Sequence, residues 1–204
     1  MRNDSAIDAA LQLVPASGRS RTWLFALCVL LPLAITLVAL VAAAQGIGTP
    51  AGTKPNLIGG SWPQTFASSL GVVAIIVVPV WLVLDRLMRR HELALDNGVL
   101  DLRSTLYHAR TPLSGLDLDR ARVIDLDEHA ELRPGMKANG FALPGFRSGW
   151  FFRLRDRRKT FVAIADGRWK LWLPVRGDHD LLLEPRDPQR LLERLRELAS
   201  PQTR

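Results

Sequence analysis

Asp178-His179-Asp180 is the densest meeting of histidine and carboxylate in the chain, so acid–base or metal chemistry would begin there. A general base needs a nucleophile or a substrate proton within hydrogen-bond reach, and a metal needs three or more converging ligands. Neighbours on an extended segment point to opposite faces, which turns His179 away from both aspartates. The cluster therefore reads as a solvated turn. His91, His108 and His129 have no ligand spacing, and Asp117-Leu118-Asp119 is flanked by Arg120 and Arg122, as surface ion pairs would be. The single cysteine, Cys28, lies in an apolar run and reads as a small buried hydrophobe. There is no phosphate-cradling glycine loop and no nucleophile elbow. The expectation is a non-enzyme, with no catalytic residue, cofactor or metal.

Two other stretches could bind. Arg153, Arg155, Arg157, Arg158 and Lys159 form a basic hairpin around the turn Asp156-Arg157-Arg158. Alternation puts Trp150, Phe152 and Leu154 inward and Phe151, Arg153 and Arg155 outward. Near an anionic leaflet each such charge is worth about 1 kcal/mol within a Debye length. The other reading of the hairpin is a turn tip kept soluble by its charge. The second stretch is Phe141–Trp150, where Phe141, Leu143 and Phe146 flank Pro144-Gly145. It is either a partner-binding loop or core beneath a loop.

What must position these residues is set by two long uncharged runs. Phe66–Leu84 holds 19 residues without a charge, and at about 1.5 Å per residue it spans roughly 28 Å, close to a bilayer's hydrocarbon thickness. Pro79 is tolerated in such a helix. Thr22–Ala44 is a second uncharged run, 23 residues long, with Pro32 predicting a local kink. Ala42-Ala43-Ala44 before Gln45 resembles a signal cleavage site, but the apolar core exceeds the roughly 7–15 residues of a signal peptide, which favours an uncleaved anchor. Neither run contains an ionisable residue, which argues against ion or proton transport.

Arg19 and Arg21 precede the first run, and Arg86, Arg89 and Arg90 follow the second, whereas the connector at 45–65 carries only Lys54. Both termini are then cytoplasmic and the connector is outside. The net charge is +7, from 27 Lys and Arg against 20 Asp and Glu. From His91 onward there are 20 basic and 17 acidic residues, so much of the excess is a topology signal and not a nucleic-acid footprint. In the first 21 residues Ser5 and Asp8 resemble a capping pair, with Ile7, Leu11 and Val14 on one helical face. A short interfacial helix and a frayed tail are the two readings.

From His91 the pattern becomes short alternating runs split by turn signals. Glu92–Leu95 and Val99–Arg103 flank Asp96-Asn97-Gly98, and Asn-Gly is a strong hairpin signal. Further strands are expected at Leu106–Arg110, Arg122–Asp125, Gly149–Leu154, Lys159–Ile164, Trp169–Leu173 and Asp180–Leu183. A closing helix follows, with Asp187 as N-cap, Pro188 at its first position and Leu191, Leu192, Leu195 and Leu198 as its stripe.

This order of features resembles the bacterial pleckstrin-homology-like (PH-like) domains attached to membrane helices. Glu92–Leu100 resembles their opening hairpin. Lys137-Ala138-Asn139-Gly140 through Leu143–Phe151 resembles a glycine- and proline-marked centre, departing from it in having Lys137 in place of Arg. Leu183–Leu192 resembles the junction of last strand and closing helix. The resemblance covers about residues 91–199. It implies a bent antiparallel sheet of about seven strands with a C-terminal capping helix and a binding role, but no activity and no named ligand.

The expected organisation is a cytoplasmic tail at 1–21, spans at 22–44 and 66–85 joined by an external loop at 45–65, a PH-like domain at 91–199 and a tail at 200–204. The expected function is an adaptor or accessory subunit in a bacterial inner membrane. Its partners are the lipid bilayer and another membrane protein or a second copy of itself, with no nucleic acid and no small-molecule substrate. The alternative is a sensor of the anionic membrane surface through residues 153–159. An unrecognised enzyme is a remote third.

Overall fold

The longest uncharged runs form the longest helices. In a computed structural model, which describes residues 11–48 and 57–199, helix α1 spans Gly18–Ala44 and helix α2 spans Trp62–Met88. Both are long and apolar enough to cross a membrane. Their apolar side chains are widely exposed, Ile75 at 74% and Val38 at 68%. Residues Arg21–Arg86 form one compact unit; the described parts of Met1–Ser20 and Leu87–Arg204 form the other.

Within the helical unit Pro32 leaves its mark just upstream. Ala26–Leu30 is a π-helical turn inside α1. A proline cannot donate to the carbonyl four residues back and its ring crowds that carbonyl, here Cys28, so the turn before it widens. Thr36 Oγ1 donates to Pro32 O at 2.8 Å, occupying a carbonyl in the same region. The two helices meet through an edge-on ring pair, Phe25 and Trp81, with centroids 5.2 Å apart. They also meet through Arg21, whose Nε and guanidinium N donate to both oxygens of Asp85 at 2.5 and 3.1 Å.

The second unit is built from alternation. Strands β1 (His91–Asp96), β2 (Val99–Ser104) and β3 (Tyr107–Pro112) make a three-stranded antiparallel meander. Its first turn is Asn97-Gly98, both at positive φ, 48° and 74°, as a tight hairpin of this hand requires. Strands β4 (Arg122–Asp125), β5 (Pro134–Leu143), β6 (Phe146–Arg153), β7 (Lys159–Ile164), β8 (Trp169–Pro174) and β9 (His179–Leu183) form a second sheet in the order β4-β8-β9-β7-β6-β5. Helix α3 (Pro188–Ala199) closes the chain, and the Asp187 carboxylate accepts from Arg190 N at 3.0 Å as an N-cap.

This differs from one bent antiparallel sheet of about seven strands. There are nine strands in two sheets among the described residues, and β7 pairs with β9 in parallel. Strand β9 enters between β7 and β8, so the β7–β8 connection must arch over its end. Glu184, the residue after β9, holds that arch. Its carboxylate accepts from Ala165 N and Gly167 N at 2.7 and 2.8 Å and from the Lys170 ammonium, which also donates to the carbonyls of Ala165 and Gly167 at 2.9 and 2.6 Å. Both charged groups are buried and fully bonded, the condition under which a buried pair is tolerated. Burial still lowers the Lys170 pKa.

Both faces of the larger sheet are covered. On one, Phe161, Leu171 and Leu181 pack with Leu93 and Leu100 of the small sheet and with Leu191, Leu192 and Leu195 of α3. Leu198, expected in that stripe, is exposed. On the other face Phe151, Val162 and Leu182 pack with Ile124 and Leu132. The expected sidedness is therefore reversed at three positions: Phe151 is buried, the Arg153 side chain is tied inward, and Leu154, just past β6, is 64% exposed. A sheet covered on both sides has no outward apolar-free face, so alternation alone could not choose.

The segment before α1 is neither a tail nor an interfacial helix where it is described. Leu13 bridges Pro185, Val14 N donates to Glu184 O at 2.8 Å, and Arg186 N donates to Gln12 O at 3.0 Å. Leu11 and Leu13 are buried in the main core. Leu13 is thus held beside a strand end, with Val14 only half-buried, so Leu11 and Val14 do not form one buried face. Ser5, Ile7, Asp8, Lys54 and the tail at 200–204 lie outside the described residues.

Candidate functional site

Asp180 sets the geometry of the basic hairpin. It sits on β9, and its side chain is only 2% exposed. Its carboxylate accepts from Arg153 at 2.9 Å, from Arg158 Nε at 2.9 Å and from the Trp172 indole N–H at 3.3 Å. Arg158 further donates to the carbonyls of Val175, Gly177 and His179 at 2.9, 2.7 and 3.2 Å. The tip is folded by Asp156, which is bound by the Arg153 guanidinium and accepts from Arg158 N at 3.1 Å. That engagement, led by Arg153, holds the Asp156 pKa below the usual carboxylate range.

The five hairpin cations are therefore not equivalent. Arg153 and Arg158 are tied inward, and Lys159 Nζ lies 4.6 Å from the centroid of the Trp150 ring. Arg155 and Arg157 are exposed, Arg157 at a positive φ of 56°. Of the expected triplet at the other stretch, Phe146 is buried, with its ring 5.0 Å from His91 and 6.2 Å from Phe141; Phe141 and Leu143 are half-buried. Phe141–Trp150 is no open loop but the end of a β5–β6 hairpin, with Leu143 opposite Phe146. Gly149, opposite Gly140, takes a φ of 107°, and a Cβ there would meet Asn139 O at 2.7 Å and Tyr107 at 2.8 Å. Close approach of β3 to this hairpin explains the glycine.

The internally paired arginines form one wall of an open cleft of about 610 Å³. It lies between the hairpin tip, the β8–β9 turn and the segment before β4. Its apolar floor includes Leu132, Trp172, Pro174 and Val175. Arg120, Arg155 and Arg176 also line it. Among the described residues no carboxylate engages the guanidinium of any of these three, whereas each lining carboxylate is engaged. Asp117 accepts from Arg120 N at 3.4 Å, and Glu131 is bonded by His129 Nδ1 at 3.1 Å, its pKa lowered by a backbone N–H and by that histidine. The loops are stitched together by Asp117 N to Pro174 O at 2.9 Å and Arg176 N to Gly115 O at 2.7 Å. Nothing in the spacing of Arg120, Arg155 and Arg176 joins them; only Asp180 and these loop bonds do.

His179 does not turn away from both aspartates: its Nδ1 meets Asp178 at 3.0 Å, because Asp178 lies in the bend before β9 and is not held to the strand's alternation. Among the described residues no group of three His, Cys, Asp or Glu converges as metal ligands would. The other polar constellation is buried. His91 Nε2 meets Ser104 Oγ at 3.0 Å, and Ser104 Oγ meets Ser148 Oγ at 2.6 Å. Both serines are at 0% exposure, so no substrate reaches them. Burial pushes the His91 pKa down to about 4, leaving a neutral imidazole.

No family model matches the chain, and no curated protein or solved structure matches it.

The arginines expected to set the topology differ in their surroundings. Arg19, Arg86, Arg89 and Arg90 are exposed, while Arg21 is bonded to Asp85. That ion pair removes one unit of uncompensated charge from the end of α1.

Proposed function

We propose that this protein is a two-span inner-membrane protein whose cytoplasmic C-terminal domain is a PH-like binding module, acting as an adaptor or accessory subunit. The observation that carries the reading is the joining of both ends of the helical pair to one β unit. Leu11 and Leu13 precede α1, β1 begins with only Arg89 and Arg90 between it and α2, and Leu11, Leu13 and Leu93 of β1 lie in the same core. Two spanning helices return the chain to the side it left, so a core shared by the segments before and after them fits a membrane hairpin. The arginine clusters favour the cytoplasm as that side.

Support for a PH-like module comes from the Asp96-Asn97-Gly98 hairpin, two packed sheets and the Asp187-capped closing helix. The parallel β7–β9 pair departs from the all-antiparallel sheet that the resemblance implies. A binding role is favoured over surface sensing because three of the five hairpin cations are already engaged within the domain. An engaged guanidinium has fewer donors left for lipid phosphates.

The test is capture of the full-length chain from detergent, beside a chain ending at Arg90 that retains only the anchor. Recovery of the same protein in repeated preparations with the full chain alone supports the adaptor. Recovery of anionic lipid and no recurrent protein supports the surface sensor in its place.

A further inference from the structure

We infer that the cleft between the hairpin tip and the β8–β9 turn is the docking site, and that it takes an acidic, extended segment of a partner protein. This rests on the adaptor reading above. Three guanidinium groups, those of Arg120, Arg155 and Arg176, share the cleft without an anionic partner among the described residues. Gathering like charges is unfavourable unless something compensates them, and guanidinium forks match carboxylates bidentately. The chain had local carboxylates to offer, yet Asp156 and Asp180 are consumed by Arg153 and Arg158. The same consumption makes the wall rigid, since the Arg158 guanidinium donates to four acceptors, on Asp180, Val175, Gly177 and His179. A pre-formed wall with free forks on its rim costs little ordering when a ligand arrives.

The floor argues for a peptide over a lipid headgroup. Trp172, Pro174 and Val175 line the same cleft as the charged groups, so a peptide brings side chains for the apolar surface as well as carboxylates for the guanidinium groups, which a headgroup does not. The volume, about 610 Å³, falls in the range of ordinary ligand clefts. Asp117 and Glu131 on the same rim would repel a dense polyphosphate but leave room for spaced carboxylates.

The experiment uses the full chain in nanodiscs of neutral lipid, with a fluorescent ten-residue peptide of alternating Glu and Val as the probe. Binding should weaken by about tenfold or more when Arg120, Arg155 and Arg176 all become Gln, because long charged contacts steer and hold such a ligand. The melting temperature should stay unchanged, because no internal bond is removed. Arg157→Gln, outside the cleft, should leave binding within about twofold. Binding of the alternating Glu-Val peptide that survives the triple substitution overturns the inference. Binding to vesicles of phosphatidylglycerol that depends on the three arginines, without peptide binding, overturns it in favour of the lipid surface. If a recurrent partner is captured equally by the triple variant, the adaptor stands and the cleft falls. If the peptide depends on the arginines but no partner is captured, the cleft stands and the adaptor falls.

Discussion

Gln12 completes the free edge of β1 at Leu93. Its side-chain amide donates to Leu93 O and accepts from Leu93 N, both at 3.1 Å, across 81 residues of sequence. A single side chain thus stands in for the peptide group of a neighbouring strand. Edge strands leave such groups unpaired, and half-buried ones are costly to leave so. Ser17 and Ser20 extend the docking, donating to Asp166 at 2.8 Å and to Pro144 O at 3.0 Å.

Gln12→Ala should therefore lower the stability of the full-length protein by about 1–3 kcal/mol, the net worth of two hydrogen bonds. Leu13→Asp should cost more, since it buries an unpaired charge in the main core. Thermal unfolding in detergent measures both. If both variants melt with the parent, the segment before α1 is not part of the domain. A fragment starting at His91 should likewise be less stable than one to which residues 11–20 are restored.

Topology follows from the same docking. Reporters placed at the N-terminus, after Arg90 and after Arg204 should all read inside, and one after Lys54 outside. An N-terminus and a C-terminus on opposite sides would break the Gln12–Leu93 pairing and sink the membrane-hairpin account.

The hairpin cations should separate by function. Asp180→Asn leaves Arg153 and Arg158 without their buried counter-ion, and breaking such a pair costs about 3–5 kcal/mol. Arg158→Gln should also destabilise, through its lost bonds to Asp180 and three carbonyls. Arg157→Gln should melt with the parent, because its guanidinium is exposed and engages nothing among the described residues. Calorimetry of the three variants decides it: equal melting for all would mean that the tip is not organised by Asp180.

A pH dependence should come from His91. Its pKa falls from 6.5 in the unfolded chain to about 4 in the folded one, through burial. Between those values the unfolded state binds the extra proton, so stability is full above pH 6.5 and declines as pH falls towards about 4. The loss is on the order of 3 kcal/mol. His91→Gln keeps a polar partner for Ser104 and removes the titration. The difference in melting temperature between parent and variant should thus shift in the variant's favour across that window. A difference that is flat with pH would show that His91 is not buried neutral.

How much of this was legible in the sequence depends on the range of the interaction responsible. Uncharged runs located α1 and α2, alternation split by Asn97-Gly98 located β1 and β2, and Asp187-Pro188 with leucines at 3.6 spacing located α3, because each of these signals lies within one turn or one hairpin. Ile7, Leu11 and Val14 fit a helical period, which leaves a short interfacial helix and a frayed tail as the two readings. What ties Leu13 beside a strand end is Glu184, Pro185 and Arg186, far along the chain. The same holds at the site. Arg153, Arg155, Arg157 and Arg158 are alike in sequence, yet Asp180, 22 residues beyond Arg158, binds two of them and leaves the others free. The parallel entry of β9 between β7 and β8 was equally hidden, since the Lys170–Glu184 pair that closes the arch becomes a pair only once both are buried together. Local periodicity is set by the geometry of one element. Which charges stay unpaired is set by what the finished fold brings beside them.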